Sequence, residues 1–296
     1  MREDFCAFIL THGRPHSQHT YRTLRTHGYT GPIFIVIDDE DETAEEYKRI
    51  FGDEVLVFSK DEVALYTDQY DNAPDRRGVL WARNACWKLA KENGYRYFIE
   101  LDDDYTYWGY RRAGLNHQNA MTTEIESRSW KIGSMDLVFN AMVNFVETTS
   151  AKTIALGQGG DIPSVKEFKW FKRKAMNSYV CDIEKPFLFR GKFNDDVNTY
   201  VSLGRMGQLF CSYMGAYLTP VQSQSQSGGM TELYANAGTY VKSFYAVMAA
   251  PSCVTIVKMG IHYKRLHHRI NWNKAVPLII PQEFKKNGTL IGKRSA

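Results

Sequence analysis

The sequence predicts a soluble α/β protein with a doubly wound, mostly parallel sheet, and three observations support this prediction. Short apolar runs at residues 5–10, 33–37, 54–58 and 97–101 are typical of buried strands. Helix-like segments separate these runs, which gives the order β-α-β-α-β-α-β. Acidic residues follow directly after the second and the fourth run, where open α/β sheets place their ligands.

Length and composition fit one large domain. The chain has 296 residues, of which 44% are hydrophobic and 24% charged, and this is enough to build a sizeable core. We expect a nucleotide-binding half at about residues 1–110, an elaborated acceptor-binding half at about 111–275 and a basic tail at about 276–296. A net charge of +4 and an aromatic content of 14% are compatible with a polyanionic partner but do not identify one. Nothing in the sequence indicates the oligomeric state.

The cysteines and the hydropathy pattern indicate a cytoplasmic protein. Five cysteines are scattered without a Cys-x-x-Cys pair, which argues against a disulfide framework or a zinc site. The first residues, Met-Arg-Glu-Asp-Phe, lead directly into a strand and do not resemble a signal peptide. No apolar segment reaches the ~20 residues that a membrane span needs, so we expect no membrane partner.

The other elements are predicted from periodicity and from capping residues. Helices are expected at residues 16–27, 43–51, 79–93, 135–147 and 197–205, with Ser134 as the N-cap of the fourth. Further strands are expected at residues 153–156, 187–189 and 254–257, and residues 59–78 are expected to form a long loop.

The strongest chemical signal is the run Asp102-Asp103-Asp104 at the end of the fourth predicted strand. Three adjacent carboxylates repel one another, and a hard divalent cation with oxygen ligands relieves that repulsion. Strand alternation directs Asp102 and Asp104 to one side and Asp103 to the other, so Asp103 should tolerate Asn better than Asp104 does. A solvated acidic turn is the alternative interpretation.

Three further groups can take part in the same reaction. Asp38 and Asp39 end the second predicted strand, Asp195 and Asp196 begin a predicted helix, and His262 follows the last predicted strand. A cation held by carboxylates and this histidine would bind a diphosphate, and a carboxylate such as Asp195 would deprotonate an attacking hydroxyl. That combination is glycosyl transfer from a nucleotide sugar.

Each of these groups also has a structural interpretation. The acids at Asp38, Asp39 and Asp195 suit helix starts, where they cap backbone N–H groups. His262 can be a structural histidine, and the rival ligands are His267 and His268. Residues 157–160, Gly-Gln-Gly-Gly, lack the residues of a phosphate-binding loop and indicate either a close approach of backbone to a ligand or a tight turn.

The order of motifs resembles the nucleotide-sugar half of GT-A fold glycosyltransferases. A helix with Ala82-Arg83-Asn84-Ala85 comes about one helix length before the strand and acidic run at residues 97–104. The resemblance extends over about residues 5–205. Within that class, the sequence resembles the TET-associated glycosyltransferases of bacteriophages, which add sugars to 5-hydroxymethylpyrimidines in phage DNA.

The resemblance implies a role for individual residues. Those implied to bind the nucleotide-sugar donor, expected to be a UDP-sugar, are Thr11, Gly13, Arg14, Asp38, Asp39, Arg83, Asp102 and Asp103. Mn²⁺ or Mg²⁺ would be held by Asp102, Asp104 and His262, and Asp195 or Asp196 matches the catalytic acid of inverting members. Inverting members usually carry Glu-Asp where this chain has Asn194-Asp195-Asp196, which leaves open which Asp is the base and whether the reaction inverts.

Basic and aromatic groups point to the acceptor. Runs that can follow phosphates lie at residues 76–77, 111–112, 166–174, 264–269 and 285–286, and Tyr107 or Trp170 can stack on an exposed base. The preferred acceptor is 5-hydroxymethylcytosine in DNA, which must be flipped out of a duplex before it reacts. Alternatives are a glycan or protein acceptor, a nucleotidyltransferase, and a non-catalytic DNA-binding module.

Overall fold

A computed structural model of the chain describes residues 1–111, 113–115, 121–125, 129–159, 171–221, 240–260, 265–279 and 281–284. The strands are β1 (Phe5–Leu10), β2 (Ile33–Asp38), β3 (Val55–Phe58), β4 (Tyr97–Asp102), β5 (Tyr105–Tyr110), β6 (Ala113–Leu115), β7 (Met121–Ile125), β8 (Trp130–Lys131), β9 (Ala151–Gln158), β10 (Ser178–Asp182), β11 (Leu209–Pro220), β12 (Val254–Met259) and β13 (Arg265–Ile270). The helices are α1 (His19–Thr26), α2 (Ala44–Phe51), α3 (Lys60–Ala64), α4 (Leu80–Glu92), α5 (Met135–Thr148), α6 (Asp195–Gly204) and α7 (Val241–Ala249).

One large sheet organises the fold, in the strand order β3-β2-β1-β4-β10-β9-β11-β5-β8. Strands β3, β2, β1 and β4 are parallel, as are β9 and β11. Strand β10 is antiparallel to β4 and β9, and β5 is antiparallel to β11 and β8. Two hairpins, β6–β7 and β12–β13, are separate from this sheet. The predicted α/β class is confirmed, and the four parallel strands β1–β4 lie in the first part of the chain.

Of the parallel strands, β1, β2 and β4 are buried on both faces, and this explains their continuous apolar sequence. Phe8 and Phe98 pack on the face covered by α4 and α6, whereas Ile9 and Ile99 pack on the face covered by α1 and α5. Each large apolar side chain buried in this way contributes about 1.5–3 kcal/mol. The alternation continues past the end of β4, so Asp102 and Asp103 point to opposite faces.

The predicted helices are confirmed at α1, α2, α4, α5 and α6, whose ends lie within three residues of those expected. Ser134 caps α5 by accepting a hydrogen bond from the backbone N–H of Leu137 at 3.4 Å. The prediction of a strand at residues 187–189 is wrong, because no strand forms there. The side chain of Asn84 forms the hydrogen bonds that a neighbouring strand would form. Its amide donates to the carbonyl of Phe189 at 3.0 Å and accepts from the N–H of the same residue at 2.8 Å.

Two more sequence-based expectations concern the cysteines and the presence of membrane-spanning helices. The cysteines are all buried and unpaired. No helix in the described part of the chain is both long and apolar enough to cross a bilayer.

Candidate active site

The carboxyl ends of β1, β2 and β4 meet at one edge of the sheet. In the parallel ladder Leu10 pairs with Asp102, and Leu10 also pairs with Val36, two residues before the end of β2. The segments that follow these strands therefore come together, as expected for ligand-binding loops of an open α/β sheet. We call this edge, with the residues that follow the three strands, the acidic edge.

The loop after β1 is tied to the acidic edge through Asp103, which is buried. Oδ2 of Asp103 accepts a hydrogen bond from Oγ1 of Thr11 at 2.6 Å and lies 3.2 Å from Nε of Arg14. Gln18 donates to Oγ1 of Thr11 at 3.0 Å, and the backbone N–H of Arg14 donates to the hydroxyl of Tyr47 at 2.8 Å. Burial raises the pKa of Asp103, and Arg14 and Thr11 offset part of that rise. Asp103 therefore anchors this loop on the face opposite Asp102.

Asp104 combines burial with two like-charged neighbours. Burial and then repulsion from Asp102 and Asp103 raise the pKa of Asp104 to about 7. A carboxyl in this state releases its proton readily when a cation arrives, because the cation stabilises the charged form.

Arg83 joins the acidic edge to the start of α6. Its Nη1 donates to Oδ2 of Asp195 at 2.5 Å, and its Nη2 lies 3.6 Å from Oδ1 of Asp102. The guanidinium is buried and lies 5.2 Å from the ring centroids of both Tyr179 and Phe189. Burial disfavours the charged guanidinium, but the nearby acids, Asp195 first, outweigh it and raise the pKa of Arg83. Arg83 thus pairs with an acid, and that acid is one of the two predicted catalytic residues.

The two acids of α6 are placed by an unusual backbone turn. Asn194 has φ 55° and ψ 39°, in the left-handed region, and its Nδ2 donates to the carbonyl of Lys242 in α7 at 3.0 Å. The helix begins at the next residue, so Asp195 and Asp196 both lie in its first turn, where the helix dipole favours anions.

Asp195 and Asp196 differ in their partners. Burial raises the pKa of Asp195, and the Arg83 guanidinium opposes this by pairing with the carboxylate. Burial and the charge of Asp195 raise the pKa of Asp196 to about 6. Oδ1 of Asp196 accepts the backbone N–H of Val197 at 2.7 Å, and Oδ2 has no hydrogen-bond partner among the described residues. Asp195 therefore has a cationic partner in Arg83, whereas Asp196 forms no ion pair with any of the described residues.

A second cluster lies at the end of β2. Asp38 is buried between Nζ of Lys60 and Nδ1 of His12, each at 2.9 Å. Burial opposes its negative charge, but His12 and Lys60 outweigh burial and lower the pKa of Asp38 to about 2. Asp39 is exposed, and its Oδ1 accepts the backbone N–H of Lys60 at 3.0 Å, which caps α3. Gly13, with φ 68°, donates its N–H to Asp41 at 2.8 Å.

The acidic edge supplies two of the three ligands that were expected to hold a divalent cation, the carboxylates of Asp102 and Asp104. Within the described ranges, no three His, Cys, Asp or Glu side chains come together as a metal site. His262, the expected third ligand, lies outside the described residues. Mg²⁺ commonly binds through one or two carboxylates plus substrate phosphates, and Asp102 and Asp104 supply two. Burial, and then repulsion from Asp102 and Asp103, raise the pKa of Asp104, and a bound cation would relieve the repulsion.

Several basic residues that were expected to follow phosphates have internal partners. Arg76 pairs with Glu40 and Asp61, and Arg77 pairs with Asp75. Arg111 donates to the carbonyl of Gly159 at 2.6 Å and stacks over the ring of Tyr217. Arg112, residues 160–170 with Trp170, Lys264, and residues 285–286 lie outside the described residues.

The glycines at residues 157 and 159 serve strand packing. A Cβ on Gly157 would lie 2.9 Å from Cε of Met214, and one on Gly159 would lie 2.8 Å from Oγ1 of Thr219, both in β11. The close approach that these glycines permit is therefore to the neighbouring strand.

Three polar residues near the site were not predicted. Lys60 and Tyr47 hold neighbouring loops, and no local pattern in the sequence distinguishes them. Glu100 did carry a signal, because it is a charged residue inside an apolar strand. It lies on the same face as Asp102, and neither of its carboxylate oxygens has a hydrogen-bond partner in the described part of the chain. Burial raises the pKa of Glu100 well above its usual value.

Comparison with known proteins gives a family and a set of similar structures. The model of the TET-associated glycosyltransferase family matches residues 5–229. The chain matches none of the curated proteins in sequence. Glucosyl-3-phosphoglycerate synthase from Mycobacterium tuberculosis, in complex with Mn²⁺, UDP and phosphoglyceric acid, is similar with 11% identity and a TM-score of 0.45, over 93% of this chain and 88% of that one. Its complex with Mn²⁺ and UDP-glucose has 12% identity and a TM-score of 0.45, over 91% and 90%.

Proposed function

The chain belongs to the TET-associated glycosyltransferase family, and from this premise we propose that it transfers a sugar from a UDP-sugar to the hydroxyl of 5-hydroxymethylcytosine in phage DNA. The observation that carries the proposal is the Asp102–Arg83–Asp195 arrangement, with Asp104 and Asp196 beside it. It supports a donor-diphosphate site next to a carboxylate able to accept a proton.

The donor site comprises the loop after β1 and the ends of β2 and β4. Thr11 and Arg14 hold Asp103, which fixes this loop, while Gly13 allows its left-handed turn. The exposed carboxylate of Asp39 is available to the ribose or the base, and Asp38 supports it as a buried ion pair with Lys60.

A divalent cation, Mn²⁺ or Mg²⁺, would be held by Asp102 and Asp104, with His262 as a further ligand. When bound, it supplies charge stabilisation for the departing nucleoside diphosphate. Arg83 keeps the neighbouring carboxylate of Asp195 neutralised, so that the anionic donor meets less repulsion from the start of α6.

Asp196 is the base in this proposal. Its Oδ2 accepts the proton of the acceptor hydroxyl while the hydroxyl oxygen bonds to the anomeric carbon of the sugar. The bond from that carbon to the diphosphate oxygen breaks, and its electron pair leaves with the diphosphate. A pKa of about 6 keeps Asp196 mostly ionised at neutral pH and close to the optimum for proton transfer.

The test is a screen of UDP-sugars with hydroxymethylated and unmodified DNA, with Mn²⁺ or with a chelator, read by mass spectrometry of the nucleosides. We expect a glycosylated nucleoside only from hydroxymethylated DNA with metal. Asp196→Asn should lower the transfer rate by about 10²–10⁴-fold and leave UDP binding intact. Asp61→Asn, at an exposed acid of α3, is the matched control and should leave the rate unchanged.

Two results would overturn the proposal. One is the absence of turnover of any UDP-sugar with metal present. The other is release of pyrophosphate, which would indicate nucleotidyl transfer instead.

A further inference from the structure

A cleft of about 570 Å³ lies beside the β12–β13 hairpin. It is lined by Lys172, by Arg269 at the end of β13 and by the segment Asn271–Lys274, together with residues at the start of β12. We call it the hairpin cleft. None of the residues of the candidate active site lines it, and its volume is within the range of small-ligand sites.

The charge of the hairpin cleft selects anions. Three cations line it, Lys172, Arg269 and Lys274, and none of its described lining residues is acidic. Nζ of Lys172 donates to Oδ1 of Asn273 at 2.8 Å, which holds the ammonium at the rim. The side chain of Asn271 accepts the backbone N–H of Asn273 at 3.2 Å, so the turn that carries both asparagines is locally fixed. The chain has a net charge of +4, and this agrees with an anionic partner.

Trp272 gives the hairpin cleft an aromatic wall. Its ring stacks on Tyr200 of α6, with centroids 5.7 Å apart and planes 20° apart. The indole is therefore held in place by the helix that begins with the catalytic acids. Cations beside a fixed aromatic ring are the combination with which proteins bind a nucleic-acid strand, where phosphates meet the charges and a base meets the ring.

The hairpin itself reaches the candidate active site. Nδ1 of His268, in β13, lies 3.3 Å from Nδ2 of Asn194, the residue directly before Asp195. The next residue along the strand, Arg269, lines the cleft on the opposite face of the hairpin, because neighbouring side chains of a strand point to opposite faces. One face of the hairpin therefore contacts the turn before Asp195, and the other face forms the cleft.

We propose that the hairpin cleft binds the acceptor strand, with Lys172, Arg269 and Lys274 on phosphates of that strand and Trp272 against one of its bases. This inference rests on the proposed DNA acceptor and gives it a binding site. Small phosphate compounds share the same chemistry, and the experiment separates them from a strand.

The test measures binding of a fluorescent single-stranded oligonucleotide with one 5-hydroxymethylcytosine, by anisotropy over a range of salt concentrations. The cleft variant is Lys172→Ala/Arg269→Ala/Lys274→Ala. The control is Lys48→Ala/Arg49→Ala/Lys88→Ala, which removes the same charge from exposed, ion-paired positions of α2 and α4. Trp272 stays unchanged in both, because its stacking on α6 contributes to the fold.

We expect the cleft variant to lose at least about tenfold in affinity at low salt, while the control changes less than about twofold. For three phosphate contacts on a single strand, the slope of log affinity against log salt should fall by about two units. Equal affinities and slopes in the two variants would overturn the proposal. So would competition by inorganic phosphate at the same phosphate concentration as the oligonucleotide, because that result would identify a small-anion site.

An error in the assignment of the cleft and an error in the proposed function would give different experimental results. UDP-sugar hydrolysis without acceptor should be the same in wild type and in both variants, since the donor site is untouched. In transfer to DNA, the cleft variant should raise KM and keep kcat. If wild type transfers sugar to DNA and the cleft variant has the same KM, the cleft assignment is wrong and the function stands. If the cleft variant loses DNA binding but wild type glycosylates no DNA, the cleft stands and the proposed acceptor is wrong.

Discussion

Metal binding at the acidic edge should weaken when Asp104 takes up a proton. Burial and the neighbouring carboxylates raise the pKa of Asp104 to about 7. A carboxyl must be deprotonated to bind a cation, so the apparent affinity follows the ionised fraction. With this pKa, the ionised fraction is roughly 90% at pH 8 and roughly 10% at pH 6, so the affinity for Mn²⁺ is expected to fall about tenfold over that interval.

The same titration should change the stability of the metal-free protein. Because the folded-state pKa of Asp104 lies above its usual value, the group contributes stability at low pH and loses that contribution as the pH rises through about 7. The metal-free wild type should therefore have a lower Tm at pH 8 than at pH 6, and Asp104→Asn should flatten this difference. Added Mn²⁺ should raise the Tm more at pH 8 than at pH 6.

The assay is calorimetric titration of Mn²⁺ into protein saturated with UDP, at pH 6, 7 and 8 in buffers of different ionisation enthalpy. Proton release of about half an equivalent at pH 7 is expected from a group with this pKa. Asp104→Asn should lose both the affinity and the proton release, and Asp61→Asn should keep both. An affinity of the wild type that does not change between pH 6 and pH 8 would refute the reasoning.

Three more predictions concern packing around the site. Arg83→Leu leaves Asp195 buried without its counter-charge and should lower the free energy of unfolding, measured in urea, by about 3–5 kcal/mol. The double variant Arg83→Leu/Asp195→Asn should lose less stability than Arg83→Leu; an equal or larger loss would show that the unpaired carboxylate is not the cause. Asp103→Asn should lower the free energy of unfolding by about 1–3 kcal/mol, because its hydrogen bonds to the loop after β1 become weaker, and it should retain metal binding. Equal loss of metal binding in Asp103→Asn and Asp104→Asn would show that Asp103 also binds the metal. Gly204→Ala should destabilise the fold by about 1–3 kcal/mol, since a Cβ there collides with the backbone oxygen of Ala275; an unchanged midpoint of thermal unfolding would argue against that contact.

The parts of the fold that local sequence determines were predictable. Apolar runs bounded by polar residues predicted β1, β2, β3 and β4, and helical periodicity predicted α4 and α5. Elements whose stability depends on distant partners were not predicted, among them β5, β10, β11 and α7. Strand β11 shows why, because its twelve residues gain their partners from β9 and β5, far away in the chain. At Phe189 the sequence is strand-like, but the backbone forms its hydrogen bonds with the side-chain amide of Asn84 and not with a neighbouring strand.

For the candidate site, the sequence predicted which residue types carry charge and chemistry, but it did not predict how they pair. The alternation of Asp102 and Asp103 followed from strand geometry, since neighbouring side chains of a strand point to opposite faces. The contact of Arg83 with Asp195 joins residues 112 positions apart, and no local pattern indicates it. Lys60 is the counter-charge of Asp38, yet in the sequence it stood in a predicted loop.

The position of Arg83 has a consequence for any attempt to recombine this protein with a relative. The guanidinium comes from α4 in the first half of the chain, and the carboxylate that it neutralises comes from α6 in the second half. A chimera that exchanges one half must therefore conserve the charge of this pair. If the incoming half has a neutral residue at the position of Asp195, Arg83 is left as a buried cation with Asp102, at 3.6 Å, as its remaining ion-pair partner among the described residues. Changes confined to the β12–β13 hairpin leave this pair intact, because both of its members lie outside the hairpin.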